Sequence, residues 1–207
     1  MIRVKICGIN DARGFDTAVE AGADWVGFNF FPPSPRYVTA AQAATLSARG
    51  AGGPSRVGLF VDPTEDAIAA VLSEMRLDIL QLYGRIPDSG ALRARFGLPI
   101  WRPVGIDSGA DLPTDNRDAD CLLLEAKPPP AATRPGGNAV SFDWSLLRGW
   151  TPPCPWVLAG GLTPDNVAKA IRETGATAVD VSSGVESARG IKDIAQIEAF
   201  IANARGA

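Results

Sequence analysis

The chain contains no histidine. That removes the one side chain whose unperturbed pKa places a charge change between about pH 5 and 8. Any proton transfer near neutrality must then use a carboxyl, thiol, amine or phenol displaced from its ordinary range. The commonest zinc ligand is missing as well, and the three cysteines, Cys7, Cys121 and Cys154, are odd in number and far apart. This argues against both a disulfide framework and a zinc site, so no metal is expected. No apolar run approaches the roughly 18 residues of a membrane span, and the opening MIRVKICGIN lacks the apolar core of a signal peptide. A cytoplasmic protein with no membrane partner is expected. Excess positive charge is absent too: a net charge of −3 gives no field for a phosphate backbone, so a nucleic-acid partner is disfavoured.

What is present is a globular composition, 46% hydrophobic and 21% charged over 207 residues, enough for one sizeable core. The most informative stretch is 155–184, PWVLAGGLTPDNVAKAIRETGATAVDVSSG. A short apolar run ends at Gly160-Gly161, Thr163 and Pro164 occupy N-cap and first-helical positions, and helix-forming residues follow to 173. The pattern then repeats: Gly175 ends the helix, 178–181 reads as a strand, and Ser182-Ser183-Gly184 makes a second small-residue turn. Two such turns at strand ends offer backbone N–H groups to a phosphate, with a helix N-terminus behind them. The same pattern also suits two ordinary turns of any α/β protein.

Along the whole chain, short apolar runs are expected as strands at 4–7, 25–30, 56–61, 79–82, 99–104, 121–125, 156–159 and 178–181. Helices are expected at 11–21, 40–49, 64–75, 87–96, 142–150, 165–173 and 194–204, the last with Ile194, Ile197 and Ile201 on its inner face. Eight strands separated by helix-length segments predict a parallel sheet, and repeats of this size close into a single (β/α)8 TIM barrel domain over residues 1–207. A doubly wound sheet fits less well, because Gly8 stands alone after the first strand instead of opening a glycine fingerprint. Residues 126–141 show neither helical periodicity nor alternation. A loop of that length in a compact domain is usually functional, and a lid over the ligand is the expectation.

In a barrel, residues at the carboxyl ends of the strands share one mouth. This collects Cys7, Asn29, Asp62, Tyr83, Arg102, Glu125, Gly160, Gly161, Asp180, Ser182, Ser183 and Gly184, with Arg36 nearby on the proline-stiffened loop FPPSPRY. A thiol at Cys7 and a carboxyl at Glu125 on opposite sides of a ligand form a possible base and acid, although an unpaired cysteine is equally a packing residue. Lys5 is expected on the opposite face of the strand from Cys7, unable to help it. Arg36 suits bidentate capture of a carboxylate, although a surface position is the commoner fate of an arginine. Asp180, ending an apolar strand, needs a ligand or a cation.

These segments in this order resemble the phosphoribosylanthranilate isomerase family: VKICG at 4–8, GADWVGFNFFPPSPRYV at 22–38, LDILQLYG at 77–84, CLLLEAK at 121–127, FDWSLL at 142–147, LAGGLTPDNV at 158–167, and VDVSSGVES with GIKD across 179–193. The resemblance implies a (β/α)8 barrel, no cofactor, and a small phosphosugar substrate. It also implies an Amadori rearrangement of N-(5-phosphoribosyl)anthranilate to 1-(2-carboxyphenylamino)-1-deoxyribulose 5-phosphate in tryptophan biosynthesis, by a monomer or homodimer. Carried onto this chain, it makes Cys7 the general base at C2 of the ribose and Glu125 the general acid at the ring oxygen. Arg36 holds the anthranilate carboxylate, Asp180 lies beside the anthranilate, Tyr83 lines the site, and Gly160, Gly161, Ser183 and Gly184 bind phosphate. Three departures cluster together: Glu125 where the family ordinarily has aspartate, Tyr83 where it commonly has histidine, and GGNAVSFDW in place of GGTGKTFDW. They leave open a related barrel enzyme acting on another aryl-amino sugar phosphate, or a non-catalytic phosphosugar-binding barrel.

Overall fold

A computed structural model describes residues 1–128 and 141–207. Eight parallel strands close into a barrel in sequence order: β1 Arg3–Cys7, β2 Trp25–Asn29, β3 Ser55–Val61, β4 Ile79–Tyr83, β5 Ile100–Ile106, β6 Cys121–Ala126, β7 Trp156–Leu158 and β8 Ala178–Val181. The seam between first and last strands is laddered through Arg3↔Ala178, Val4↔Val179, Lys5↔Asp180 and Ile6↔Val181. A short antiparallel hairpin follows, β9 Glu186–Ala188 with β10 Ile191–Lys192.

The helices are α1 Ala12–Glu20, α2 Ala40–Ser47, α3 Glu65–Glu74, α4 Ser89–Phe96, α5 Val167–Thr174 and α6 Ile194–Arg205. Their starts follow from capping chemistry. Asp11, Thr39, Thr64, Asp88 and Asp193 each accept a hydrogen bond from a backbone N–H of the first turn, and Thr39 with Gln42 completes a reciprocal box. Gly97 and Gly175 end α4 and α5 in the left-handed conformation.

Two cores result from strand alternation. Outward-facing residues such as Ile6, Phe28, Leu80 and Leu122 pack under the helices, while Trp25, Val57, Ile79, Trp101, Cys121, Leu123 and Val157 fill the barrel. Trp25 and Trp101 meet edge to face inside it, with centroids 5.1 Å apart. Each fully buried aliphatic or aromatic side chain contributes roughly 1.5–3 kcal/mol. The barrel interior is therefore a packed plug, with polar residues confined to the layers near the mouth.

Several sequence expectations are corrected. The helix expected at 142–150 is a single 3-10 turn, Trp144–Leu147. Helix α5 starts at Val167, not at Pro164, because Asn166 takes over the local hydrogen bonding: its side chain accepts from the Thr163 N–H and donates to the Gly161 carbonyl. On α6, Phe200 joins Ile197 and Ile201 in the core, whereas Ile194 in the first turn is only partly covered. The lid expected within 126–141 concerns mainly residues outside those described.

Candidate active site

The carboxyl ends of the strands bring a polar cluster into an otherwise apolar barrel. Cys7 ends β1, Glu125 lies near the end of β6, Asp180 sits on β8, and all three are buried. Strands β7 and β8, with their turns, stand between β6 and β1. Gly27 on β2 pairs with Cys7, and a Cβ there would lie 3.2 Å from the sulfur; glycine thus keeps the thiol uncrowded.

Lys5 is the main correction. Residues two apart on a strand share a face, so Lys5 points into the barrel beneath Cys7, completely buried, instead of away from it. Its Nζ donates to Asp180 Oδ1 at 2.9 Å. Burial alone would lower the Lys5 ammonium, but the Asp180 charge, Cys7 and the hydrogen bond to Asp180 outweigh it and hold the pKa above its ordinary value.

Burial pushes the Cys7 thiol up, opposed by Lys5 and Lys192 and reinforced by Asp180. Burial also raises Glu125 to about 8, aided by the Asp180 charge and opposed by Tyr83 and Lys5. Near neutrality Glu125 is therefore a carboxylic acid able to give up a proton. Tyr83, partly buried at the end of β4, accepts from Gln81 Nε2 at 3.1 Å. Burial, followed by the charges of Glu125, Cys7 and Asp180, lifts its phenol well above the ordinary value, so it remains a neutral donor.

The loop after β2 folds back on that strand, with the Val38 N–H donating to the Asn29 carbonyl and the Arg36 N–H donating to Ser34 Oγ. Arg36 is buried, and its guanidinium grips Glu186 of β9: Nε to Oε1 at 2.5 Å and Nη2 to Oε2 at 2.9 Å. That pairing occupies one edge of the fork and, among the described residues, leaves the Nη1 N–H groups and one Nη2 hydrogen for another acceptor. Gly8 makes room for the arrangement. It has φ +74°, and a Cβ there would lie 2.4 Å from Arg36 Cδ.

Lys192 of β10 completes the group, donating to the Ser182 carbonyl at 2.8 Å and to Glu186 Oε1 at 3.2 Å. Burial lowers Lys192, with Glu186 and Cys7 opposing. Burial would raise Glu186, but Arg36, Lys192 and the Gly190 N–H hold it below its ordinary value.

The two glycine turns meet directly. A Cβ on Gly184 would lie 1.8 Å from the carbonyl oxygen of Leu162 in the β7 turn, so the two backbones are in contact. Gly160 and Gly161 take φ values of +79° and +64°, aiming the turn across the end of β6. Among the described residues, the backbone N–H groups of Gly160, Gly161, Ser183 and Gly184 have no backbone or side-chain acceptor. Four such donors on two touching turns have the chemistry that suits an anion.

Two expected mouth residues fall elsewhere. Arg102 pairs in register with outward-facing Leu122, so it lies in the outer layer near Arg117 and Asp118. Asp62 accepts from the Arg85 N–H at 2.7 Å and secures the neighbouring loop. Lys5, Gln81, Glu186 and Lys192 were absent from the expected set. Correct alternation along β1 and β4 would have found the first two; no local pattern pairs Glu186 with Arg36, 150 positions away.

A closed eight-stranded parallel barrel that gathers a carboxyl, a thiol and two glycine turns at one mouth has the architecture of a (β/α)8 enzyme. The family model for N-(5'phosphoribosyl)anthranilate (PRA) isomerase matches residues 4–203, and the chain belongs to that family. It is 54% identical over 208 residues to N-(5'-phosphoribosyl)anthranilate isomerase of Acidiphilium cryptum, covering 100% of both chains. Among solved structures it superposes on phosphoribosyl anthranilate isomerase of Thermotoga maritima with a TM-score of 0.87, at 37% identity and 100% coverage of both. It likewise matches an isomerase solved with reduced 1-(o-carboxyphenylamino)-1-deoxyribulose 5-phosphate, with a TM-score of 0.83, 36% identity and 100% coverage of both.

Proposed function

We propose that this chain isomerises N-(5-phosphoribosyl)anthranilate to 1-(2-carboxyphenylamino)-1-deoxyribulose 5-phosphate, a step of tryptophan biosynthesis. Residues 1–207 act as one domain. The substrate phosphate takes the four free amides of Gly160, Gly161, Ser183 and Gly184, and the anthranilate carboxylate takes the free edge of Arg36. Asp180 and Tyr83 line the space between. Glu125 protonates the ring oxygen as its bond to C1 breaks, giving the open-chain iminium. The Cys7 thiolate then removes the C2 proton, giving a neutral enaminol, whose tautomerisation to the ketone adds a proton at C1 and releases the one on the C2 hydroxyl. The proton gained by Cys7 equals the one given by Glu125, so its return to Glu125 restores both side chains.

The observation that carries this reading is the protonated Glu125 in the same mouth as Cys7, since a carboxyl ionised at neutral pH has no proton to give. Family membership supplies the substrate. The expected setting is the cytoplasm, and the expected assembly a monomer or homodimer, which sedimentation separates. No helix among the described residues is long and apolar enough to cross a membrane. The test is to add purified protein to freshly generated phosphoribosylanthranilate and follow the loss of substrate fluorescence. Turnover is expected; tight binding of a product analogue without turnover would favour a non-catalytic binder.

A further inference from the structure

The chemistry above leaves one costly feature unused. Among the described residues, Lys5 is one of the largest fully buried side chains. A buried ion pair is seldom the stabilising choice, because apolar residues of similar volume often serve stability as well or better. The Lys5–Asp180 pair also has a direction set by the strand order. Lys5 lies on β1, on the same face as Cys7 and two residues below it. Asp180 is its register partner on β8, with only β7 between it and Glu125 on β6. Inward residues of the β7 segment are Val157 and Ala159, which place no charge between the two carboxyls.

We propose that the buried Lys5–Asp180 pair is an oriented charge pair that biases the two reacting groups in opposite senses. Lys5 is a positioning residue whose ammonium opposes the burial that disfavours the Cys7 thiolate, and Asp180 adds to the burial that keeps the proton on Glu125. The proposal rests on the isomerase reading and deepens it. The groups that face Cys7 are Lys5 on its own strand, Asp180 on β8, Lys192 on β10, Tyr83 on β4 and, across the barrel, Glu125 on β6. Of the charges acting on Cys7, Lys5 is the strongest and outweighs Asp180; of those acting on Glu125, Asp180 is the strongest and outweighs Lys5. Among charges, each reacting group thus responds most to a different end of the pair.

The test is the pH dependence of Cys7 alkylation by iodoacetamide, followed by mass spectrometry of the Cys7 peptide. Lys5→Gln keeps a donor for Asp180 but removes the charge. Its alkylation midpoint is expected to rise by about one pH unit or more, roughly tenfold less thiolate at a fixed pH below both midpoints. Lys192→Met is expected to move it less. An unchanged midpoint in folded Lys5→Gln, or a larger shift in Lys192→Met, would overturn the proposal. If Lys5→Gln does not fold, Asp180→Asn decides, read by carbon NMR of Glu125 with Glu125→Gln as the assignment control. The Glu125 midpoint is expected to fall by about one unit or more, and an unchanged value overturns the proposal. Neither readout needs turnover. A wild type inactive on phosphoribosylanthranilate but with a Lys5-dependent thiol would overturn the isomerase reading alone, and an active wild type with a Lys5-independent thiol would overturn the charge pair alone.

Discussion

Arg36, on the loop after β2, and Glu186 of β9, 150 positions on, close a two-bonded ion pair with each side chain only 4% exposed. The guanidinium is thereby held in place by one edge, and its second edge is the one proposed above to take the substrate carboxylate. Preorganisation of this kind lowers the ordering cost of binding. Glu186→Gln is expected to raise KM by about tenfold or more with a smaller change in kcat, since a lost charge-assisted pair is worth roughly 1.5–3 kcal/mol. Equal losses in kcat and in kcat/KM would place Glu186 in the chemical step instead.

Cys7→Ser keeps the size of the side chain and removes its acidity. Loss of a general base costs roughly 10²–10⁴ in rate, and turnover is expected to fall by that range while calorimetry shows a product analogue still binding within a few fold. Turnover within about tenfold of wild type would remove Cys7 from the mechanism.

The pH profile follows from the resting protonation states. Glu125 keeps its proton to about pH 8, whereas Cys7 ionises only above its ordinary 9.0. The productive pairing of thiolate with carboxylic acid is therefore the minor one. Its population grows with pH up to about 8, stays level until the thiol ionises, and then falls. A bell-shaped kcat/KM with its crest on the alkaline side of about 8 is expected, its limbs belonging to the pair and not to either residue. A crest near pH 6 would contradict it.

Glu125 also carries a stability cost. In the unfolded chain it loses its proton near 4.5, while folded it retains it to about 8, so the native state binds the extra proton between these values. Stability from this group is complete below about 4.5 and is lost as pH rises through about 8. Glu125→Gln, neutral at every pH, is expected to be inactive yet to melt higher than wild type at pH 8, by an amount on the order of a few kcal/mol. The two melting curves should converge toward pH 4.5. A variant that melts lower at every pH would show that packing, not charge, dominates there.

Gly184→Ala tests the contact between the turns. The added carbon meets a backbone oxygen at 1.8 Å, which cannot swing aside as a flexible side chain would. A loss of roughly 1–3 kcal/mol or more is expected, with weaker inorganic phosphate binding by titration. Wild-type stability with wild-type phosphate affinity would mean that the turns separate without cost.

The barrel was legible because each strand is a short apolar run closed by small or polar residues, and local capping marked most helix starts. Where tertiary contacts overrode local pattern, reading failed. WSLL has helical composition but is only one 3-10 turn, and Asn166 moved the start of α5 by reaching back to Gly161 and Thr163. Lys5 was misplaced by a miscounted alternation, and Arg102 by assigning a mid-strand residue to the strand's end. The placement of Cys7, Glu125 and the two glycine turns at strand ends was readable from the sequence alone. The Glu186 and Lys192 supports were not, because their relation to Arg36 and Ser182 exists only once the hairpin has formed.

The ladder joining β1 to β8 has a kinetic side. Residues 3–6 find their partners only at 178–181, the most distant pairing the barrel contains, and contacts so far apart in the chain are slow to form. Until they do, Lys5 has no counter-ion and has every reason to remain hydrated. Ring closure and neutralisation of that lysine are therefore one event, and a chain emerging from the ribosome should acquire its working thiol only after its eighth strand has been made.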